Sequence, residues 1–312
     1  MDTLSNVLSL LNVRSAFSNG LKAGGAWAIQ FSTVAGIKFN AVVEGTCWLA
    51  LEGDIEPVRL QAGDCFLLKG GHRFVLASDL TLPRIGAADV FRDPVDGAAH
   101  IGTPADVFVI GGRFIFEPAD ASMLIDALPP FVHVDRDSAQ ATTLRWVLSH
   151  LAAELSDTRP GAQLMAEHLS HIMLVQVLRS FLASPARPAT GWLAALSDPK
   201  IGPAMRLMHE APARHWTLND LARAASVSRS AFALRFKTIV GTAPLDYLLQ
   251  WRMRLARHAL RSDTASVSSI AASLGYASDS AFSSTFKRVT GRAPLQYRRE
   301  SRTQPQTAAQ AP

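Results

Sequence analysis

The sequence contains few residues of the types that act through covalent or metal chemistry. It has 2 cysteines, Cys47 and Cys65, among 312 residues, too few for a disulfide framework. The surrounding sequence GDCFLL favours a small buried apolar role for Cys65. No G-x-S-x-G motif, phosphate-binding glycine loop or CxxC pair is present. The sequence therefore offers no candidate catalytic residue, and we expect no enzyme activity and no cofactor.

Long apolar runs and targeting signals are also missing. No run of about 18 uncharged apolar residues occurs, and the N-terminal MDTLSNVLSLLNVRS lacks the basic start and the cleavage site of a signal peptide. Charged residues make up 18% of the chain and apolar residues 48%, a balance that predicts a folded protein. We therefore expect a soluble cytoplasmic protein, long enough for two domains and with no membrane partner.

The few charges are unevenly distributed along the chain. Residues 191–312 carry 17 Lys+Arg and 7 Asp+Glu, a net charge of +10, whereas residues 1–190 carry 14 and 19, a net charge of −5. A basic segment of this kind indicates a polyanionic partner, most simply nucleic acid. The alternative is a solvated basic surface, which charge alone does not exclude.

The first half of the chain alternates short apolar runs with turn residues. The runs AWAIQF, IKFNAVV, CWLALEG, RFVLAS and DVFVIGG, punctuated by Gly, Asp and Pro, predict β-strands of a sandwich or barrel. The segments TLRWVLSHLAAEL and AQLMAEHLSHIMLVQVLRSFL then place apolar residues every three or four positions, which predicts helices. The second of these helices, residues 162–183, either packs on the barrel or supplies a homodimer contact.

The composition also indicates where the domains end. The segment ASPARPATG is rich in proline and alanine and lies at the charge transition. The terminal SRTQPQTAAQAP has no apolar periodicity. We predict an N-terminal domain over residues 1–185, a linker over residues 186–196, a C-terminal domain over residues 197–299 and a disordered tail over residues 300–312.

The second half contains a repeat. SAFALRFKTIVGTAPLDY, residues 230–247, recurs as SAFSSTFKRVTGRAPLQY, residues 280–297, with ten of eighteen positions identical. Helix-capping residues before each copy predict a helix, a tight turn and a second helix, over residues 218–240 and 266–289. This is the helix-turn-helix arrangement, in which the second helix enters the DNA major groove.

The segment between the copies, residues 245–261, predicts one more helix. At 1.5 Å per residue it would be about 25 Å long. A stiff connector of that length can hold two recognition helices roughly 34 Å apart, one turn of B-DNA. Two copies can therefore recognise a longer asymmetric site than one.

The repeat also separates core residues from DNA-contacting candidates. In each copy two phenylalanines four positions apart share one helix face, so we assign both pairs to the core. The equivalent lysines should contact phosphate, and residues that differ between copies should contact bases. The candidate DNA-binding residues are Arg229, Ser230, Ala233, Arg235, Lys237, Ser278, Asp279, Ser280, Ser283, Ser284 and Lys287.

The segment IAASLGYASDSAFSSTFKRVTGRAPLQYRR resembles the second helix-turn-helix of AraC/XylS-type transcriptional regulators, and the first copy with its WRM-containing connector resembles the first half. This resemblance covers about residues 201–299 and implies sequence-specific binding of double-stranded DNA, with RNA polymerase as a further candidate partner. The chain departs from the family pattern at Ser226, where a turn glycine is common. It departs again at Leu234 and Arg235, where a basic residue is usually followed by an apolar one.

The N-terminal segments AGGAW, GIKFNAVVEGTCWLAL and LQAGDCFLLKGG are similar to the cupin-type sensor domain that precedes such DNA-binding units. A metal-dependent cupin enzyme would need paired histidines, a carboxylate and a further histidine, and this set is missing. His168 and His171, three positions apart, fit surface residues better than a metal site. The candidate effector-binding residues are Asn40, Trp48 and His72.

The complete prediction is an α+β protein of two domains. The first is a cupin-like β-barrel with packed helices, and the second is an all-α domain with two helix-turn-helix units joined by a connector helix. The leading function is a transcriptional regulator that responds to a small-molecule effector. The alternatives are a cupin-type enzyme or small-molecule-binding module fused to a DNA-binding domain, and an architectural DNA binder without an effector.

Overall fold

The computed structural model describes residues 2–11, 13–33, 36–53, 55–116, 124–134, 138–156, 159–184, 190–262 and 264–303. The chain divides into two compact units. The sheet unit contains residues 13–187, and the helical unit contains residues 188–311 together with residues 1–12. The first helix, α1 (Thr3–Leu10), lies in the helical unit. The predicted two-domain α+β fold, with a sheet-rich first domain and an all-helical second domain, is confirmed.

Eleven strands are found in the described part of the sheet unit. They are β1 (Arg14–Ala23), β2 (Ala28–Phe31), β3 (Ile37–Glu44), β4 (Thr46–Leu51), β5 (Val58–Gln61), β6 (Cys65–Lys69), β7 (Phe74–Ala77), β8 (Ile85–Gly86), β9 (Ala98–Ile101), β10 (Val107–Ile115) and β11 (Phe131–Val134). They form a six-stranded sheet in the order β11-β6-β3-β10-β1-β9 and a five-stranded sheet in the order β5-β4-β7-β2-β8.

The two sheets enclose the main apolar core of the sheet unit. Alternate residues of each strand point to opposite faces, and one set of alternate positions in both sheets, including Ile29, Val42, Phe66, Phe74 and Val109, forms a single buried cluster. The short apolar runs of the sequence are thus explained, because the central strands of the larger sheet bury residues on both faces.

Three helices of the sheet unit are described: α2 (Ala87–Val90), α3 (Ala141–Leu155) and α4 (Ala162–Ala183). Helix α3 packs on β3, and α4 packs on β1, β11 and α3. The predicted packing of α4 on the barrel is therefore observed. Leu164, Met165 and Ile172 of the same helix remain 59%, 48% and 41% exposed.

The helical unit continues with eight helices: α5 (Trp192–Ser197), α6 (Ile201–Glu210), α7 (Leu218–Ala224), α8 (Arg229–Val240), α9 (Pro244–Ser262), α10 (Val267–Ser273), α11 (Asp279–Thr290) and α12 (Pro294–Thr303). Helix α5 lies where the linker was predicted, because Trp192 and Leu193 are buried apolar anchors. Residues 185–189 of that segment lie outside the described residues. So do residues 304–312 of the predicted tail, whose first residues belong to α12.

Each helix-turn-helix unit begins and ends as the capping residues predicted. Thr217 and Asp220 form a reciprocal capping box at α7, and the hydroxyls of Ser228, Ser266 and Ser278 accept backbone N–H groups at α8, α10 and α11. The observed units, residues 218–240 and 267–290, match the predicted ones within a residue.

The tight turns of the two helix-turn-helix units carry different residues at one equivalent position. Ser226 in the first turn has φ +53° and Gly275 in the second has φ +80°, both in the left-handed region. Each is the second residue after its helix ends, so Ser226 takes the conformation that glycine takes in the second copy. Of the two positions, only 275 also lacks room for a side chain, since a Cβ there would lie 2.0 Å from the backbone oxygen of Ala213.

Gly275→Ala should therefore destabilise the helical unit more than a glycine substitution that costs conformation alone. Gly291→Ala is the matched control, because Gly291 has φ +78° and no atom within 4 Å of an added Cβ. Both changes carry the left-handed penalty of about 1–2 kcal/mol, and the clash at position 275 should add about 1–3 kcal/mol. Urea unfolding of both variants measures the difference, and equal losses would contradict the close contact.

Candidate nucleic-acid interface

Each recognition helix is anchored by its own cluster of three aromatic residues, and the two clusters are equivalent. In α8, Phe232 and Phe236 are fully buried with ring centroids 5.7 Å apart, and Phe236 meets Tyr247 of α9 edge-on at 5.7 Å. The second copy repeats these contacts at 5.7 and 5.5 Å with Phe282, Phe286 and Tyr297. The prediction that both phenylalanine pairs are core is confirmed. Because they face inward, the opposite side of each recognition helix faces solvent.

The solvent-facing side of α8 carries most of the candidates predicted for the first copy. Arg229 and Ser230 are exposed in the first turn, Lys237 is exposed near the end, and Ala233 is half-buried. Leu234, which departs from the family pattern, is 71% exposed. The first turn thus presents a guanidinium and a hydroxyl, and the last turn an ammonium.

The equivalent side of α11 has a different charge. Asp279, Ser280 and Ser284 are exposed, Ser283 is half-buried, and Lys287 is exposed near the end. The Ser278 hydroxyl accepts the Ala281 N–H at 3.2 Å, so this residue also caps the helix. At the first helical position, Arg229 in one copy is therefore replaced by Asp279 in the other.

Arg235 has an intramolecular partner that the sequence did not reveal. Its Nη2 lies 2.6 Å from Oδ2 of Asp198, and its Nε donates to Oδ1 at 3.3 Å. Burial by itself would raise the pKa of the Asp198 carboxyl, but hydrogen bonds from Arg235 and from the Ile201 and Lys200 amides outweigh it and hold that pKa below its usual range. In the free protein, Arg235 thus ties the recognition helix α8 to the segment before α6.

The second helix-turn-helix unit and the connector also contact the segment that precedes the first unit. Arg252 of the connector α9 donates from Nε to the Pro212 carbonyl at 2.7 Å and from Nη2 to the Arg214 carbonyl at 2.9 Å. Its guanidinium lies 5.9 Å from the ring centroid of Tyr276 in the second turn. Together with the close approach of Gly275 to Ala213, these contacts brace the second unit against the segment that precedes α7. The helix pairs are therefore held by side chains as well as by the connector.

A buried histidine lies beneath the connector. His209 of α6 is 5% exposed, stacks on Trp251 at 3.9 Å, and shares a 2.8 Å hydrogen bond between its Nε2 and the hydroxyl of Tyr247. Burial, with the nearby Arg254 charge, lowers the pKa of His209 to about 3. The imidazole is neutral at physiological pH and acts as a packed core group.

The three effector candidates lie in different parts of the sheet unit. Asn40 is 4% exposed on β3. Trp48 lies on β4 between Cys47 and Leu49, which point into the core, so its ring points away from the core and lies 6.0 Å from the Arg59 guanidinium. His72 is half-buried in the connection between β6 and β7. The structure does not bring these residues together.

The remaining reactive groups form no compact centre in the described ranges. No cluster of three or more His, Cys, Asp or Glu side chains suited to a metal ion occurs there. Cys47 and Cys65 are free and buried, which confirms the buried role predicted for Cys65, and burial raises the pKa of each thiol to about 12. No described helix is both long enough and apolar enough to cross a membrane.

Several contacts of the folded chain had no clear signal in the sequence. Arg252 belongs to the WRM tripeptide of the connector, which marks a family feature but not its acceptors. Asp198 precedes α6 by several residues and meets Arg235 only because the chain folds back. Lys38 and Arg113, opposite each other on β3 and β10, are far apart in sequence and become neighbours only through strand pairing.

The arrangement described above defines a DNA-binding protein with a separate cupin unit. The cupin family model matches residues 2–183, and a helix-turn-helix domain model matches residues 221–300. The chain is 46% identical over 279 residues to an AraC-like transcription regulator of Streptomyces lividans, with 89% of this chain and 92% of that protein covered. A similar regulator of Streptomyces antibioticus is 44% identical with the same coverage.

The chain therefore belongs to the AraC-like transcription regulators. It is a DNA-binding transcriptional regulator with a cupin-like ligand-binding domain, and the predicted family is confirmed. A crystal structure of an AraC-type regulator from Chromobacterium violaceum is 32% identical, with a TM-score of 0.33, and covers 36% of this chain and 98% of its own.

The neutral buried state of His209 makes the stability of the helical unit pH-dependent. The ordinary histidine pKa, about 6.5, applies to the unfolded chain. Between that value and about 3, the unfolded chain binds one proton more than the folded chain at this site. The contribution of the neutral His209 to the free energy of unfolding is complete above pH 6.5. It is lost as the pH falls, at about 1.4 kcal/mol per pH unit.

His209→Gln should remove this one-proton dependence, because glutamine does not titrate. Urea unfolding of wild type and variant at several pH values from 7.5 to 5 measures the slopes, and His215→Gln, at an exposed histidine of the same unit, controls for the loss of an imidazole. The same slope for wild type and His209→Gln would show that His209 is not the titrating group.

Proposed function

We propose that α8 and α11 enter successive major grooves on one face of duplex DNA and together recognise an asymmetric site of two half-sites. One observation supports this most directly: the two recognition helices are anchored by equivalent Phe–Phe–Tyr clusters but expose different first turns. Equivalent burial gives the helices equivalent orientations. Arg229 and Asp279, at equivalent positions, then favour different base edges, since a guanidinium donates to guanine and a carboxylate accepts from cytosine.

The lysines have a separate role in this proposal. Lys237 and Lys287 occupy equivalent exposed positions near the ends of the recognition helices, and neither has an acidic partner among the described residues. Phosphate contacts position a protein on DNA without reading sequence, so identical lysines in both copies suit that task. Arg235 is a further candidate for a phosphate contact, and in the free protein its Nε and Nη2 donate to Asp198.

The sheet unit supplies the regulation. A small-molecule effector bound there changes DNA binding if it has a higher affinity for one of the two states of the protein. The exposed Leu164, Met165 and Ile172 of α4 supply an apolar surface for a second copy of the chain. RNA polymerase is the further partner of a regulator that binds next to a promoter, and the site of action is the cytoplasm.

Three variants test which residues contact bases and which contact phosphates: Lys237→Ala, Lys287→Ala and Arg229→Ala. Each lysine variant should bind all sequences more weakly and reduce the salt slope by about one, because one phosphate contact is lost. Arg229→Ala should relax preference at one or two base pairs and cost about 1–3 kcal/mol on the cognate site. Footprinting of genomic DNA identifies that site, and titrations on cognate and scrambled duplexes at several salt concentrations measure the effects.

Asp246→Ala, at an exposed carboxylate of the connector α9, is the control for changing surface charge in the same unit. The proposed roles are wrong if the lysine variants change sequence preference while Arg229→Ala changes only general affinity. Equal wild-type affinity for cognate and scrambled duplexes would instead favour an architectural DNA binder.

A further inference from the structure

The five-stranded sheet has an outer face that takes no part in the core between the two sheets. The residues of β2, β4 and β7 that alternate with the core positions point to this face. They form a separate apolar cluster of Ala28, Val75 and Ala77, against which Ala50, Leu80 and Leu82 pack. The connection between β7 and β8, which carries the two leucines, therefore lies on the outer face.

A groove opens on this outer face. It has a volume of about 220 Å³, and its lining includes Gln30, Ala50, Glu52, Arg73, Val75 and Arg84. Val75 pairs with Gln30 on one side and with Ala50 on the other, so the three residues form a row across β2, β7 and β4. Pockets for drug-sized ligands enclose roughly 300–1,000 Å³, so this groove suits a smaller molecule.

The charged side chains of the groove are not paired inside the protein. Arg73, Arg84 and Glu52 are exposed, and Gln30 is half-buried. The Glu52 N–H donates to the Arg73 carbonyl at 3.0 Å, so these two residues are cross-strand neighbours. In the described ranges, neither guanidinium has an acidic partner and the Glu52 carboxylate has no basic one. The groove thus offers two positive charges and one negative charge to a ligand.

The backbone that carries Arg84 is held on both sides of this residue. Asp79 Oδ1 accepts the N–H of Thr81 at 2.9 Å and its hydroxyl at 2.8 Å, which closes a turn at the start of the segment. Leu82 packs on the outer cluster, and Ile85 pairs with β2 in strand β8. The position of Arg84 beside the groove is therefore set before a ligand binds, which lowers the entropic cost of binding.

The chemistry of these groups indicates which ligand would match them. A single exposed arginine needs no ligand, but several polar groups that converge on one concave space are typical of a small-molecule site. A planar guanidinium binds a carboxylate through two parallel hydrogen bonds, and a carboxylate accepts hydrogen bonds from an ammonium. The complementary ligand carries two carboxylates and one ammonium.

We propose that this groove binds an acidic α-amino acid and that this ligand is the effector of the sheet unit. Arg73 and Arg84 bind the two carboxylates, Glu52 accepts from the ammonium, and the Gln30 amide adds a hydrogen bond. A neutral sugar would leave all three charges unpaired, and a simple dicarboxylate would meet a like charge at Glu52. The inference rests on the proposed regulation by an effector and names the class of that effector.

The test uses the full-length chain without DNA, at constant ionic strength, and three probes: L-glutamate, L-glutamine and glutarate. Ligand-observed NMR titration should give L-glutamate a dissociation constant in roughly the millimolar range, as expected for a small ligand in an open groove. L-Glutamine lacks one carboxylate and glutarate lacks the ammonium. Each should bind about threefold to tenfold more weakly, because one charge-assisted contact is lost in a solvent-exposed site.

Arg73→Gln and Arg84→Gln should each weaken L-glutamate binding about threefold to tenfold, whereas Arg84→Lys, which keeps the charge, should weaken it less. Arg59→Gln is the matched control. Arg59 is an exposed arginine on β5 of the same sheet, opposite Trp48, and does not line the groove. Its substitution should leave the affinity unchanged.

Glu52→Gln distinguishes a ligand with an ammonium from a simple anion. The variant should bind L-glutamate more weakly, because the ammonium loses its acceptor charge. It should bind glutarate more tightly, because a like charge is removed from the groove. A general disturbance of the sheet would change both affinities in the same direction.

Thermal unfolding without ligand verifies that the variants are folded. Each should melt within about 2 °C of wild type, since the substituted side chains are exposed and unpaired. The inference is overturned if wild type binds L-glutamate no better than L-glutamine, if Arg59→Gln and Arg84→Gln behave alike, or if Glu52→Gln shifts both affinities in the same direction.

DNA binding is measured in a separate titration, with and without L-glutamate. Because the ligand titrations contain no DNA, their failure overturns this inference alone. Intact L-glutamate binding with an unchanged DNA affinity would instead contradict the proposed regulation, so the two failures are distinguishable.

Discussion

The burial of a phenylalanine pair in each recognition helix is the constraint on which the DNA-binding surface depends. Phe232 with Phe236, and Phe282 with Phe286, fix the rotation of α8 and α11 about their own axes. The directions of the other side chains of each helix are thereby fixed as well. Each unit then reproduces the same orientation while its exposed residues remain free to differ, and this lets one fold recognise two unlike half-sites.

The two helix-turn-helix units are held rigidly by a small number of polar and steric contacts within the helical unit. Arg252 donates to two carbonyls of the segment before α7, and Gly275 lets the second turn approach Ala213 closely. The Arg252 donors satisfy two carbonyl groups of this irregular segment. They also make the spacing of the recognition helices a property of the folded unit, so that the connector does not have to be stiff by itself.

The helical unit and the sheet unit place their cationic side chains differently. The helical unit is basic and exposes Lys237 and Lys287 to solvent, where their desolvation cost is small until DNA arrives. The sheet unit is acidic overall, yet it places Lys38 beside Arg113 at the end of an apolar core. Exposed lysines suit a long polyanion bound from outside.

The sequence alone determined the two-domain organisation, the two helix-turn-helix units, their caps and their buried phenylalanines, because these follow from local periodicity and from a repeat. Asn40 was a candidate by resemblance, but its burial and its unpaired amide were not visible in the sequence. The Arg235–Asp198 pair, the Arg252 acceptors, the burial of His209 and the Lys38–Arg113 pair were decided by the tertiary structure. Each joins residues far apart along the chain, and local pattern carries no information about which distant groups the folded backbone brings within a few ångströms.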